Sequence, residues 1–202
     1  MHLLSMNFHK IWNGHISGLF SAVLLLVATV FRRIVEKIKS ILFKSNIASC
    51  GKKVRVMSGF EYRCPSKITV GSNVIIGRNS SLSTELFEDG GTLSICDGVT
   101  IGNECTVDYT GGVVMEDNSH LAHGVLVLTH HHGMDYHNKP IGKPLCICES
   151  AFVGSRSIIL HNCSRIGKKA IVGSGSVVTK DVPDFAIVAG NPAKIIGKVE
   201  LQ

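Results

Sequence analysis

The side chains best suited to chemistry in this sequence are histidines. The chain of 202 residues has ten of them, and five lie between His120 and His132. Three are consecutive, from His130 to His132, at the start of the segment HHHGMDYHNKPIGKP. A neutral imidazole can remove a proton from a reacting group at neutral pH. The cluster therefore indicates a general base, which the rest of the chain must position.

The elements that position these histidines are indicated by an internal repeat of six residues. From Val70 the chain reads VGSNVI and IGRNSS, later ICDGVT and IGNECT, and near its end IGKKAI, VGSGSV and VTKDVP. Each block opens with an aliphatic residue and usually continues with a small one, where we expect the backbone to bend and glycine to be favoured. Strand side chains alternate, so the fifth residue of one block and the first of the next both point inward. Three strands would close one triangular coil, which predicts an all-β protein, a parallel β-helix of stacked coils.

The histidine cluster opens the longest interruption of this repeat. A loop that protrudes from a rigid scaffold is a common place for functional residues. The charge of +6 suits anionic small molecules or an anionic membrane surface. Basic residues are not interleaved with aromatic ones, so no nucleic-acid partner is expected. The seven cysteines form neither a CxxC pair nor a disulfide framework, which predicts reduced, structural thiols and no metal site.

The segment from Val70 to Val199 resembles the hexapeptide-repeat acyltransferases, which include maltose and galactoside acetyltransferases and bacterial polysaccharide O-acetyltransferases. The resemblance is most specific in IGKKAIVGSGSVVTKDVPDFAIVAGNPAKIIG, which starts at Ile166. It implies a left-handed parallel β-helix with acetyl-CoA as co-substrate and no metal. It also implies a homotrimer with active sites between adjacent subunits.

The same resemblance implies roles for residues in the interrupted region. The family pattern is His, then Pro or a variable residue, one further residue, and Asp, and it matches from His132 to Asp135 with Gly133 in place of the common Pro. We therefore expect His132 to be the general base, with His130 as its rival because it belongs to a Thr-His-x-His form of the family. The family also places an Asn or Asp at the position of Asp108, close to the catalytic histidine. A carboxylate bonded to one ring nitrogen would fix the tautomer and stabilise the imidazolium.

Cofactor-binding positions are carried over in the same way. The resemblance implies that Ser155 lies near the pantetheine and thioester, and that Ser174 and Thr179 line the groove for pantetheine and adenine. It implies that Lys180 and Lys194 meet the CoA phosphates, a role that suits lysine as a point charge.

These expectations together predict an acetyl-CoA-dependent O-acetyltransferase whose acceptor is a sugar or polysaccharide precursor. One alternative is an N-acetyltransferase of a nucleotide-linked amino sugar, which would use the same scaffold and base. An alternative of another class is a zinc enzyme like the γ-carbonic anhydrases, with His120, His123 and one loop histidine as ligands.

The first residues of the chain do not repeat, which divides it into an N-terminal helical segment, residues 1–45, and a β-helix domain, residues 46–202. Residues from Ile16 to Phe31 are nearly all apolar, and a basic amphipathic helix pattern follows. We expect this segment, over residues 12–44, to associate with a membrane. The alternative is a helix that caps the β-helix or packs in an oligomer. The expected location is the cytoplasm, at the inner face of the membrane.

Overall fold

The computed structural model describes residues 16–200, so residues 12–15 of the expected membrane segment lie outside the described part. The chain divides into two units, Met1–Lys39 and Ser40–Gln202. A single helix, α1 (Ile16–Asn46), contains both the apolar run and the basic segment that follows it. Its apolar side chains from Leu19 to Leu42 are mostly exposed. Over Gly18–Asn46 the helix is long and apolar enough to cross a membrane, judged by length and composition alone.

Within the described residues, the second unit winds through three sheets, here called A, B and C. Their strands pair in parallel, except for the last two strands of sheet B, which pair antiparallel. Sheet A contains β1 (Ser49–Cys50), β4 (Ile68–Val70), β7 (Leu93–Ile95), β10 (Val113–Met115), β15 (Leu145–Ile147) and β18 (Arg165–Ile166). Sheet B contains β2 (Arg55–Val56), β5 (Ile75–Ile76), β8 (Thr100–Ile101), β11 (His120–Leu121), β16 (Phe152–Val153), β19 (Ile171–Val172), β21 (Ala186–Gly190) and β22 (Ala193–Lys198). Sheet C contains β3 (Glu61–Tyr62), β6 (Ser81–Ser83), β9 (Thr106–Asp108), β12 (Leu126–Val127), β17 (Ile158–Ile159) and β20 (Val177–Val178).

Two smaller elements complete the described chain. A 3-10 turn, Pro65–Lys67, precedes β4. The strands β13 (His130–His131) and β14 (Ile141–Gly142) form an antiparallel hairpin of their own, outside the three sheets. This hairpin is the protruding loop that the longest interruption of the repeat predicts.

The core is a set of aliphatic columns, because residues in register on neighbouring coils point inward together. On sheet B, Ile76, Ile101, Leu121 and Val153 follow one another in register, and all are fully buried. Burying a side chain of this kind contributes roughly 1.5–3 kcal/mol. At the end of the column of coils, the Phe43 ring is fully buried and packs edge-on against Phe60 at 5.1 Å between ring centroids. The end of α1 that belongs to the second unit, from Ser40 to Asn46, therefore covers the first coil.

Many blocks have glycine at their second place, but the physical reason differs from the one expected. Gly77, for example, does not have a positive φ, but a Cβ there would lie 2.3 Å from the carbonyl oxygen of Gly102 in the next coil. The left-handed residues stand two places later, as at Asn73 (φ 59°) and Asn118 (φ 57°). Glycine at the second place is thus required by the close approach of successive coils. The bend lies at the fourth place, which holds asparagine or glycine in some blocks, as at Gly98 (φ 70°), and other residues, such as Glu104 (φ 59°), in the rest.

Candidate active site

Three insertions in the repeat lie at one corner of the β-helix, the corner that follows sheet C. The first follows β6, the second is the short turn after β9, and the third is the β13–β14 hairpin after β12. Because β6, β9 and β12 are neighbours in sheet C, the insertions lie on successive coils. We call this region the active-site corner. It contains the histidine cluster and Asp108.

Asp108 is the most connected polar residue of the active-site corner. Its side chain is 6% exposed. Its carboxylate accepts hydrogen bonds from the backbone N–H of Thr129 at 2.8 Å and from the hydroxyl and backbone N–H of Thr110. Burial by itself would raise the pKa of Asp108, but the hydrogen bonds from Thr110, Thr129 and His130 outweigh it and lower the pKa. The group is therefore an ionised acceptor at neutral pH.

The ring of His130 is held by this carboxylate. Its Nδ1 lies 2.8 Å from Oδ2 of Asp108, and the side chain is 12% exposed. A carboxylate only accepts, so Nδ1 carries the proton and Nε2 is the nitrogen that faces outward. The Asp108 partner expected for His132 thus belongs to His130. The reason is local: Thr129 binds Asp108 through its backbone, which places the next residue's ring over the carboxylate.

The ring of His132 has a different partner. Its Nδ1 lies 2.8 Å from the backbone carbonyl oxygen of Asn138, across the hairpin. A carbonyl also only accepts, so this ring has its proton on Nδ1 as well and presents Nε2. The His132 side chain is 27% exposed, more than twice the value for His130. His132 is therefore the ring that an approaching molecule reaches more easily.

Glu85 joins the two rings and was not predicted from the sequence. One of its carboxylate oxygens lies 3.3 Å from Nε2 of His130, and the other lies 3.3 Å from Nε2 of His132. The two rings are nearly perpendicular, with centroids 5.2 Å apart. Both Nε2 atoms therefore face the same place, which the exposed carboxylate of Glu85 occupies. The signal that could have found Glu85 is its place in the first insertion, after the same sheet as the histidine loop.

The residues expected to bind CoA lie along the two borders of sheet C. Ser155 and Ser174 lie on successive coils at the corner between sheets B and C, where the Gly175 N–H donates to the carbonyl of Ser155 at 2.8 Å. Lys194 lies on β22 and pairs with Ala189 of β21. Ala189 in turn lies beside Gly173, the residue before Ser174. These three residues are brought to one corner.

Thr179 and Lys180 lie at the other border. They directly follow β20, the last strand of sheet C, and are therefore at the active-site corner, two coils beyond β12. The face of sheet C separates them from Ser155, Ser174 and Lys194.

The ligand set of the zinc alternative is not assembled among the described side chains. His120 stacks on Phe152, and His123 pairs with Glu104 at 3.5 Å. Over residues 18–200, the groups of three or more side chains whose ligand atoms lie close enough to hold a metal are Glu85 with His130 and His132, and Glu116 with Cys146 and Cys148. Neither group includes His120 or His123.

Comparison with known proteins agrees with this architecture. The family model described as the hexapeptide repeat of succinyl-transferase matches residues 92–129 and 144–180, on either side of the histidine loop. The galactoside O-acetyltransferase of Escherichia coli is 29% identical over 166 residues, which is 82% of this chain and 70% of that protein. The resemblance to the hexapeptide-repeat acyltransferases that the sequence indicates is therefore confirmed. Serine acetyltransferase 2 of Arabidopsis thaliana is 38% identical over 112 residues, half of this chain but only 31% of that protein.

Solved structures show the fold of this hexapeptide-repeat protein. A variant of AntD, an N-acyltransferase from Bacillus cereus solved with dTDP-4-amino-4,6-dideoxyglucose and coenzyme A, has a TM-score of 0.69 at 22% identity and covers 81% of this chain and 90% of its own. A hexapeptide-repeat acetyltransferase of Vibrio cholerae solved with acetyl-CoA has a TM-score of 0.57 at 23% identity, with coverage of 82% and 79%. The predicted fold class, a left-handed parallel β-helix, is confirmed.

Proposed function

We propose that the protein transfers an acetyl group from acetyl-CoA to a hydroxyl of a saccharide acceptor. The observation that carries the proposal is the convergence of two imidazole Nε2 atoms, each with its tautomer fixed through Nδ1, on one point of the active-site corner. The galactoside O-acetyltransferase of Escherichia coli, which spans most of this chain, supports the reaction class.

In this proposal His132 is the general base. The acceptor hydroxyl donates a hydrogen bond to Nε2, and its oxygen attacks the thioester carbonyl while the proton passes to His132. The carbonyl then re-forms as the carbon–sulfur bond breaks, and the imidazolium returns the proton to the CoA sulfur. The Asn138 carbonyl keeps Nδ1 as the donor throughout, so Nε2 is the atom that accepts and returns the proton.

His130 and Asp108 are positioning residues in this account. Asp108 ties the turn after β9 to the first residues of the hairpin, and His130 adds a side chain to that connection. An acceptor that donates to Nε2 of His132 takes the place of the Glu85 carboxylate there. Glu85 is then free to accept a hydrogen bond from a second hydroxyl of the saccharide.

Histidine variants separate these roles. His132→Ala is expected to lower kcat by about a hundredfold to ten-thousandfold, the range for a positioned base. His130→Ala is expected to lower kcat less, while it also lowers the thermal midpoint. His137→Ala is the matched control, because His137 lies in the same loop and bonds only to exposed Asp135. Full activity of His132→Ala with loss in His130→Ala would assign the base to His130.

The acetyl-CoA site is proposed along the borders of sheet C, with Ser155, Ser174 and Thr179 toward the pantetheine and adenine, and Lys180 and Lys194 toward the phosphates. Each of the two lysines is exposed, as a phosphate ligand must be. Removing one lysine, as in Lys180→Ala, is expected to raise KM for acetyl-CoA by roughly tenfold with kcat nearly unchanged. An unchanged KM in both lysine variants would refute this placement.

N-acetylation of a nucleotide-linked amino sugar is the second candidate. The fold likeness to AntD, which was solved with such a sugar, favours it, and the Glu85 carboxylate could bind an ammonium group. The two candidates differ in their products, since an acetyl ester is cleaved by mild alkali and an amide is not. If the only product is resistant to alkali, the protein is an N-acetyltransferase and the O-acetyltransferase proposal is wrong.

A homotrimer is proposed from the family resemblance, with each acetyl-CoA bound between two subunits. Light scattering of the purified protein tests it, with a mass of three times 21.7 kDa expected. An active monomer would contradict it.

Membrane association through α1 is proposed as well, with the β-helix on the cytoplasmic side. The exposed apolar residues of the helix are followed at once by Arg32 and Arg33, and such charges favour the cytoplasmic side. The full-length protein should pellet with washed membranes of expressing cells. A variant with serine at Leu24, Val27 and Phe31 should stay in the supernatant. Wild-type protein that stays wholly soluble would overturn the proposal.

A further inference from the structure

A second cluster of chemically active side chains lies outside the active-site corner. Cys146 is on β15 between the buried Leu145 and Ile147, so its side chain points to the outer face of sheet A. Cys148 follows the same strand, and Glu116 follows β10, the neighbouring strand in sheet A. The backbone N–H of Glu116 donates to the carbonyl of Ile147 at 2.8 Å, which fixes the carboxylate beside the two thiols.

Two of the distances within this cluster match those expected in a tetrahedral metal site. The two sulfur atoms are 3.7 Å apart, and the Cys146 sulfur lies 3.6 Å from Oε1 of Glu116. Zinc bonds of about 2.3 Å to sulfur and about 2.1 Å to oxygen, at tetrahedral angles, give edges of about 3.8 Å between two sulfurs and about 3.6 Å between sulfur and oxygen. All three ligand atoms lie within 4.8 Å of one another.

The carboxylate is also oriented by a partner of its own. Oε2 of Glu116 accepts a hydrogen bond from the backbone N–H of Glu149 at 2.9 Å, which leaves Oε1 directed at Cys146. Hydrogen bonds of this kind to metal ligands set their orientation and contribute to affinity. Because β10 and β15 pair in register over three residues, the backbone that carries the ligands is rigid.

We propose that Glu116, Cys146 and Cys148 bind one zinc ion, with a water molecule as the fourth ligand. Two thiolates and a carboxylate are ligands that zinc accepts, and they favour it over magnesium or calcium, which prefer oxygen alone. The ion would connect two adjacent coils. It would also fix β15, the strand that the chain enters directly after the β13–β14 hairpin, so the site would anchor the return end of the catalytic loop.

A reactive-thiol role fits the cluster less well. The Cys146 thiol faces the carboxylate of Glu116 and Cys148 is buried, whereas reactive thiols lie in partly exposed, positively charged surroundings. The cysteine pattern escaped prediction because C-x-C is not a usual zinc motif, and the third ligand lies 30 residues earlier in the chain. Only the stacking of coils brings the three together.

Cobalt provides the direct test, since cobalt bound to thiolate gives a charge-transfer band in the near ultraviolet. Reduced, metal-free, full-length protein is titrated with Co²⁺ and then with Zn²⁺. We expect the band to saturate at one equivalent and to disappear as zinc displaces cobalt. In Cys146→Ser and Cys148→Ser the affinity for cobalt should fall by more than about 100-fold. Loss of a residue that only hydrogen-bonds to a metal ligand already lowers metal affinity by up to about that factor.

Two controls separate this site from other sources of metal binding. Cys96→Ser removes a half-buried cysteine at the same corner, one coil before Glu116, and should leave the band intact. His132→Ala removes the other group of possible ligands and should also leave it intact. Absence of the band in reduced wild-type protein would overturn the proposal, as would a band that persists in both cysteine variants.

Discussion

The regular coils and the active-site corner belong to the same β-helix, but the coils repeat closely and the corner does not. In the coils every inward position meets a similar residue above and below it, as along the Ile101, Leu121 and Val153 column. At the corner after sheet C, three successive coils carry insertions of different lengths and no two are alike. The coils provide stability through repetition, and the corner provides chemistry where the repetition ends.

The two regions also treat polar groups differently. Asp108, at the corner, is buried and bonds to three residues. Ser119 is fully buried in a coil, and among the described residues its hydroxyl is the buried side-chain group without a hydrogen-bond partner. A corner that holds a catalytic loop must satisfy its polar atoms, because they determine where the loop lies. A coil can leave one unsatisfied and still be held by its neighbours.

The largest difference between the regions is expected when a column residue is shortened. Leu121→Ala should lower the free energy of unfolding by about 2–5 kcal/mol, since it leaves a cavity among fully buried neighbours. Its kcat per folded molecule should remain near the wild-type value. Ile141→Ala, in the exposed part of the hairpin, is the control and should change stability by less than about 0.5 kcal/mol. Denaturant unfolding measures both, and equal losses would erase the distinction.

Asp108→Asn is expected to have an intermediate effect, a loss of about 1.5–3 kcal/mol, because hydrogen bonds to a charged acceptor are weakened. The pKa of Asp108 is lowered in the folded protein. Its contribution is therefore present above the unfolded value of about 3.9 and is lost as the pH falls through the lower, folded value. Urea unfolding of wild type and variant between neutral pH and pH 3 should show the two converging only at the acid end. A constant difference over that range would mean that the carboxylate charge has no role.

The smallest expected effect is the difference in stability between variants of two buried serines in the coils. Ser157 donates its hydroxyl hydrogen to the carbonyl of Gly173 at 2.9 Å, whereas Ser119 has no such partner. Ser157→Ala should destabilise the protein by about 1 kcal/mol, and Ser119→Ala should leave stability unchanged or raise it. Thermal unfolding of the two variants side by side is the measurement. A comparable loss in both would indicate that Ser119 has a partner after all.

What the sequence could predict follows the same division. The coils were predictable because each inward position recurs, so one block explains the next. The pairing of Asp108 with His130 was not predictable, because it depends on the path of the chain from Thr129 into the hairpin. That path has no counterpart in other coils. Glu85 was missed for the same reason. What could have been predicted is that all three interruptions follow the same strand of the coil and therefore share a corner.

The central proposal for this corner is the transfer of an acetyl group from acetyl-CoA. The direct measurement is release of free thiol from acetyl-CoA by the full-length protein against a panel of sugars, nucleotide sugars and oligosaccharides. We predict thiol release that requires one class of acceptor, matches the amount of acetylated acceptor and is lost in His132→Ala. Thiol release that is absent with every acceptor, or equal in wild type and His132→Ala, would contradict the account.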